Sequence, residues 1–295
     1  MKYLDEYRDK ELVIKLVNAI SRESARPIRI MEVCGGHTMA IRKYGIQHML
    51  PGSIELLSGP GCPVCVTDRE SIDKAVKLAR IPGTIVTTYG DLVRVPGSES
   101  SLIQEKAAGS DIRIVYSTLE ALAIARENPE RQVIFLGIGF ETTTPSSAVA
   151  LWEATLQGIR NFYLFSMHKV MPPVMAALIE QGVNINGYIG PGHVTTVAGA
   201  DMYRVLVDKY HISVVISGFE PVDILQSVYM LVRMQNEGRY GTEIQYTRAV
   251  TPEGNMKAKE LVARFFEPAA DSWRGLGSVA CSGLKIRKEY ERFDA

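Results

Sequence analysis

The 295-residue chain is 46% hydrophobic and 22% charged, and its 33 basic and 33 acidic residues cancel. That composition fits a globular protein with a real core and room for two domains, and it lacks the basic excess of a nucleic-acid binder or an acidic solvating tail. Four cysteines are too few for a disulfide scaffold, the charged start Met1-Lys2-Tyr3-Leu4-Asp5-Glu6 is no signal peptide, and the apolar runs are too short for a membrane span, so the sequence reads as cytoplasmic.

Apolar residues at Leu12, Val13, Leu16, Val17 and Ile20 recur at helical spacing and predict an amphipathic helix over Leu4 to Ser21. After Pro27, Ile28 to Val33 has few solvent-facing positions, as in a parallel strand covered on both faces. The turn Cys34-Gly35-Gly36-His37 then leads into a helix from Thr38 to Tyr44. Pro51-Gly52 precedes a second strand, Ile54 to Leu57. The turn Ser58-Gly59-Pro60-Gly61-Cys62-Pro63-Val64-Cys65 feeds a helix over Asp68 to Arg80. Strands follow at Thr84 to Thr88 and Ile112 to Tyr116, then a helix at Thr118 to Arg126. The pattern restarts with strands at Gln132 to Ile138, Asn161 to Phe165, Asn186 to Ile189 and Ile212 to Ile216, alternating with helices. Beyond Thr251, a helix carrying Met256, Leu261, Val262 and Phe265 precedes Trp273-Arg274-Gly275-Leu276-Gly277, in a segment composed to pack back on what comes before. Strand, turn and helix in repetition predict a parallel α/β fold.

The two halves echo each other. Gly59-Pro60-Gly61-Cys62 returns as Gly190-Pro191-Gly192-His193, and Tyr89-Gly90-Asp91 as Ser217-Gly218-Phe219. The expectation is two related, Rossmann-like parallel-sheet domains, 1–129 and 130–250, with 251–295 packing back on them. A pseudo-two-fold relation would face their functional turns across a shared cleft, with His193 approaching from the second domain.

Cys62 and Cys65 sit near a helix start, where partial positive charge and unpaired N–H groups favour thiolate. Their spacing suits a disulfide-forming pair or two ligands of one metal, against a bland reading as two small buried residues. With Cys34 and His37 they would complete a Cys3His zinc set, although Gly35-Gly36 permits closer approach than a closed structural site needs. Gly-rich turns before helices suit phosphate, but neither Gly-x-Gly-x-x-Gly nor Gly-Lys-Ser/Thr occurs. His193 and His168 fall on strand-to-helix turns, where α/β proteins build their sites. His48 and His211 read as structural or surface residues, Glu141 beside Thr142 and Thr143 as a helix cap, and Cys281 as a packed or surface thiol.

Cys34-Gly35-Gly36-His37-Thr38, Gly59-Pro60-Gly61-Cys62-Pro63-Val64-Cys65-Val66-Thr67, Gly139-Phe140-Glu141-Thr142-Thr143, Pro191-Gly192-His193-Val194 and Trp273-Arg274-Gly275-Leu276-Gly277, taken together, resemble the HypD family of [NiFe]-hydrogenase maturation proteins. The resemblance implies an assembly scaffold with redox-active thiols rather than a stand-alone enzyme. Such a scaffold helps build the Fe(CN)2CO unit with a HypC-like small chaperone and a HypE-like cyanide donor. It further implies Cys34 as an iron ligand shared with a thiol of the chaperone, and His37 beside it handling protons. Cys62 and Cys65 become a redox pair, and Gly35, Gly36, His193 and Glu141 residues around the iron unit. Soft thiolate suits iron that carries cyanide and CO. Family members usually continue into a cysteine-rich part that binds a [4Fe–4S] cluster. This sequence reaches Ala295 about where that part begins, and Cys281 cannot replace four ligands. A Cys3His zinc-binding structural or interaction protein and a general thiol–disulfide oxidoreductase are the competing readings.

Overall fold

The computed structural model describes residues 5–295. The chain opens with α1 (Lys10–Glu23), β1 (Ile28–Glu32), α2 (Gly35–Lys43), α3 (Ile46–Met49) and β2 (Ile54–Ser58). Leu4, where the first helix was expected to begin, and the rest of the charged start up to it lie outside the described residues. Asp9 begins that helix instead, its carboxylate accepting the Leu12 N–H at 2.8 Å.

Next come α4 (Pro63–Val66), α5 (Arg69–Ala79), β3 (Thr84–Thr88), α6 (Leu102–Ala107), β4 (Ile112–Ile114) and α7 (Thr118–Glu127). They are followed by β5 (Gln132–Gly139), α8 (Thr144–Leu156), β6 (Phe162–His168) and α9 (Met171–Glu180). A third stretch supplies β7 (Gly187–Pro191), α10 (Gly192–Ala198), α11 (Arg204–Tyr210), β8 (Ser213–Ser217), α12 (Pro221–Glu237) and β9 (Thr242–Ile244). The chain closes with α13 (Met256–Phe265) and an antiparallel hairpin, β10 (Phe266–Trp273) and β11 (Gly277–Ile286).

Two compact units result, and they are interleaved along the chain. The first takes the residues up to Cys62 together with Val174–Met256, and the second Pro63–Pro173 together with Lys257–Ala295. The first contains a parallel sheet of order β2-β1-β7-β8-β9; the second contains one of order β4-β3-β5-β6. The α/β, Rossmann-like expectation holds for both. The boundary expected at 129 does not follow the sheets, because it falls between α7 and β5 of the second unit. The physical reason is pairing: β1 takes β7 as its second neighbour, with Ile30, Met31 and Glu32 opposite Gly187, Tyr188 and Ile189. No local run of residues announces a partner that far along the chain.

Each sheet has its own core. In the first unit Ile28, Ile30, Ile189 and Val215 pack with Ile20 of α1 and with Ile224, Leu225, Val228 and Leu231 of α12. In the second, Phe135, Val133 and Leu164 pack with α7, α8 and α13, while Val86, Ile134 and Leu136 pack with α5 on another cluster. β3, β7 and β8 are buried at all five positions, as expected of strands covered on both faces. Among the described residues, no helix is long and apolar enough to cross a membrane.

Candidate functional site

In the first unit, β1 leads outward to β2 in one direction, whereas β7 leads to β8 and β9 in the other. The strand order therefore reverses between β1 and β7. In open α/β sheets, the crevice beyond the carboxyl ends of such strands is where ligands bind. Cys34 follows β1, and His193 is the second residue of α10, directly after β7. His193 was expected from a second domain. It belongs instead to the same sheet as Cys34, because β7 is the strand that pairs with β1.

Cys34 is the extended residue that precedes α2, and it is only 8% exposed. Its carbonyl accepts the His37 N–H at 2.9 Å and the Thr38 N–H at 3.2 Å. Its own N–H donates to Glu32 Oε2 at 3.0 Å. Glu32 ends β1, is 1% exposed, and also accepts the Thr38 hydroxyl. Burial raises the Glu32 pKa against these hydrogen bonds. The second cysteine turn lies directly on the first: Gly35 N–H donates to Gly61 O at 3.4 Å. A Cβ on Gly61 would fall 2.3 Å from the Cys34 nitrogen, so glycine is required there.

Although Cys34 also precedes a helix, its thiolate is not favoured. Burial raises its pKa, outweighing the N–H groups of Gly36 and His37, and the nearby Glu32 and Cys62 push the same way. His37 is wholly buried, and desolvation lowers it to about 4, so it is neutral at pH 7. Its Nε2 lies 2.9 Å from the Gly218 carbonyl. A carbonyl only accepts, so this geometry assigns the proton to Nε2 and leaves Nδ1 with a lone pair and no hydrogen-bond partner. Phe219 stacks on the His37 ring at 4.5 Å and meets the His193 ring at 5.3 Å. The His193 ring presents more of itself to solvent, and desolvation of its enclosed part lowers its pKa.

Gly218 is held from behind. Its N–H donates to Gln245 Oε1 at 3.1 Å, and Gln245 donates in turn to Asp223. Asp223 is fully buried and takes a bidentate pair from Arg248, whose guanidinium lies 3.7 Å from the Tyr7 ring centre and 4.3 Å from that of Tyr246. The carbonyl that orients His37 is thus fixed by a charged network. Glu32, Phe219 and Asp223 were not picked out from sequence. A carboxylate closing an apolar strand and Phe219-Glu220-Pro221 at a helix start were the only signals.

The first unit therefore brings together Cys34, Gly35, Gly36, His37, Cys62 and His193. Cys65 and Glu141 belong to the second. Cys65 is exposed on the single turn α4, and Cys62 is half-buried. No disulfide occurs among the described residues. Glu141 does not cap α8 as expected: Oε1 accepts the Met171 N–H at the start of α9 at 2.8 Å, while the buried Oε2 has no partner. Burial raises its carboxyl to about 7. His168 ends β6, is lowered to about 4 by burial, and shares a 2.8 Å hydrogen bond with Ser147. Among the described residues, no group of three or more His, Cys, Asp or Glu side chains is placed to hold a metal ion, so the Cys3His zinc set finds no support. The residues of β11 do not fit a [4Fe–4S] cluster either, since Cys281 is an exposed single thiol.

The family model described as HypD, "Hydrogenase formation hypA family", matches residues 11–295. The hydrogenase maturation factor HypD2 of Bradyrhizobium diazoefficiens is 47% identical over 306 residues, covering 100% of this chain and 80% of that protein. HypD of Rhizobium leguminosarum bv. viciae is 47% identical over 307 residues, with coverages of 100% and 80%. HypD of Escherichia coli K12 is 45% identical over 304 residues, with coverages of 100% and 82%.

Proposed function

The chain belongs to the HypD family of hydrogenase maturation proteins, and we propose that it is an assembly scaffold on which the Fe(CN)2CO unit is built, with Cys34 as its iron ligand. The observation that carries this reading is the Cys34–His37 turn at the reversal of strand order, with the backbone of the Cys62 turn seated on it.

The iron unit is cargo here. Cys34 supplies one thiolate, and a HypC-like chaperone brings another; a HypE-like protein supplies cyanide. Because burial favours the Cys34 thiol, iron binding is coupled to release of its proton. Neutral His37 offers its Nδ1 lone pair for that proton once the metal has lowered the thiol's pKa. Phe219 keeps water from the buried imidazole. Cys62 and Cys65 are assigned as a dithiol–disulfide pair that exchanges electrons with the site.

Infrared spectroscopy of the anaerobically purified complex with the chaperone tests the assignment. The Cys34→Ala chain should lose the cyanide and CO bands while its melting stays close to that of the parent. Bands of unchanged position and intensity in that variant would reject Cys34 as ligand.

A further inference from the structure

Trp273-Arg274-Gly275-Leu276-Gly277 takes no part in the function proposed above, yet each of its residues has a defined task in the second unit. Trp273 and Gly277 are opposite each other at the end of the β10–β11 hairpin, leaving a three-residue tip. Gly275 and Gly277 have φ of +83° and +79°, which side chains rarely adopt, and the Leu276 N–H closes the tip on Trp273 O at 3.0 Å. Trp273 anchors it. The indole is 1% exposed, donates to Ser282 Oγ at 2.8 Å and stacks on Phe140 at 6.0 Å. The buried Lys169 lies 5.1 Å from the ring centre; its Nζ donates to Ser272 O at 2.8 Å and pairs with the Asp271 carboxylate.

This stiff tip grips the segment that carries Cys65. Thr67 and Trp273 form an antiparallel bridge. The Arg274 N–H donates to Val66 O, and its Nε–H to Thr67 O, both at 2.8 Å. The Thr67 hydroxyl donates back to Pro63 O at 2.8 Å. α4 is four residues long, too short to persist alone, and its last carbonyls have no partner in the helix itself. The last of them, Val66 O, takes the Arg274 backbone N–H, and Thr67 O, one residue past α4, takes the side chain, whose cation also suits the carboxyl end of a helical turn.

We propose that Arg274 is the positioning residue for Cys65: through the Val66 and Thr67 carbonyls it holds the helical turn carrying that thiol, and so governs how readily Cys62 and Cys65 close to a disulfide. The inference rests on the redox-pair assignment above. The clamp is made here with both residues as thiols, so loosening it favours closure. Closing forms one S–S bond and releases two protons and two electrons; oxidised glutathione accepts them and becomes two glutathione thiols.

The test uses the full chain carrying Cys281→Ser, equilibrated anaerobically in stepped glutathione ratios, alkylated and read by mass spectrometry of the Cys62–Cys65 peptide. Arg274→Gln should raise the equilibrium constant for closure about tenfold, the scale of one charge-assisted hydrogen bond. Arg274→Lys, which keeps a cationic donor, should recover most of the parent value. In a Cys62→Ser background, Arg274→Gln should also raise the rate at which iodoacetamide alkylates Cys65. Equal constants and equal alkylation rates in parent and Arg274→Gln would overturn the clamp, as would a lysine variant no different from glutamine. A parent pair that closes at no glutathione ratio would refute the redox assignment itself; the Cys65 alkylation rates would then decide the clamp alone.

Discussion

In the first unit the strands on either side of the order reversal, β1 and β7, are followed by Cys34 and His193. In the second, the reversal lies between β3 and β5, which are followed by Tyr89 and, after Gly139, by Phe140. The central topology is the same, since each unit runs outward from a middle pair of strands in opposite directions. The side chains use it differently. In the first unit a Cβ on Gly35 would meet nothing within 4 Å, and Met39 on the same helix is 68% exposed. In the second, Phe140 is buried under Trp273, and the hairpin that carries Trp273 pairs Lys169, just past β6, with Gly283. A reversal of strand order creates a crevice, and what fills it decides between an open edge and a sealed one.

Removing the seal should have the largest effect. Trp273→Ala deletes a fully buried indole together with its stack on Phe140 and its contact with Lys169. The second unit should lose about 3–5 kcal/mol, whereas Cys34→Ala should cost the first unit only about 1 kcal/mol. Hydrogen exchange resolved by unit would read both. Similar losses at the two positions would dissolve the contrast between sealed and open edges.

Acid should come next, and His168 reports it for the sealed unit. Its folded pKa of about 4 lies below the ordinary value of 6.5. Between those values the unfolded chain binds a proton that the folded chain refuses, so stability is full above pH 6.5 and falls as the pH drops toward 4. The loss is on the order of 3 kcal/mol. His168→Gln keeps a hydrogen-bonding group for Ser147 but cannot titrate, and should flatten that slope in the second unit. His37 has the same depressed value and should leave the first unit acid-sensitive in the variant. Urea titrations at pH 7.5, 6 and 4.5, followed by unit-resolved exchange, would separate the two histidines. An undiminished slope in the second unit of His168→Gln would assign its acid sensitivity elsewhere.

Much of this architecture was legible in sequence, because buried parallel strands announce themselves. Thr84–Thr88 and Ile54–Ser58 are short apolar runs preceded by Pro-Gly, and they appear within a residue of where the pattern placed them. β9 escaped notice, since three half-exposed residues carry no period. The β10–β11 hairpin was hidden by Pro268, Gly283 and the shift in register between Ala269 and Asp271, all of which interrupt a strand signal. Interleaving of the units was invisible for a different reason: strand partners separated by most of the chain leave no local trace. At the candidate site, Cys34, His37 and His193 were picked out by residue type. Glu32 and Phe219 were missed because a carboxylate or a phenyl ring acquires its role only through what it touches.

The smallest expected effect sharpens the comparison most, because the first unit's edge carries one aromatic ring where the sealed edge has a hairpin. Phe219 is half-buried, stacked on His37 at 4.5 Å and edge-on to Tyr246 at 6.4 Å. A Cβ on Gly36 would stand 3.1 Å from the same ring, so the phenyl also lies on the turn that follows Cys34. Phe219→Ala should cost about 1–2 kcal/mol, less than a fully buried phenyl because part of the ring already faces water. Its more telling consequence is at His37. Desolvation is the largest cause of the value near 4, and removing the ring admits water to the imidazole, so the pKa should climb toward 6.5. Phe219→Leu restores apolar cover without the stack and should give an intermediate value. Gly36→Ala, which displaces the ring by a few tenths of an ångström, should move the value in the same direction by less. Imidazole proton shifts followed by NMR across pH 3.5 to 8 would report all three variants. A His37 pKa unmoved by Phe219→Ala would mean that Gly218 and the backbone around it keep the imidazole dry by themselves, and Phe219 would then be packing alone.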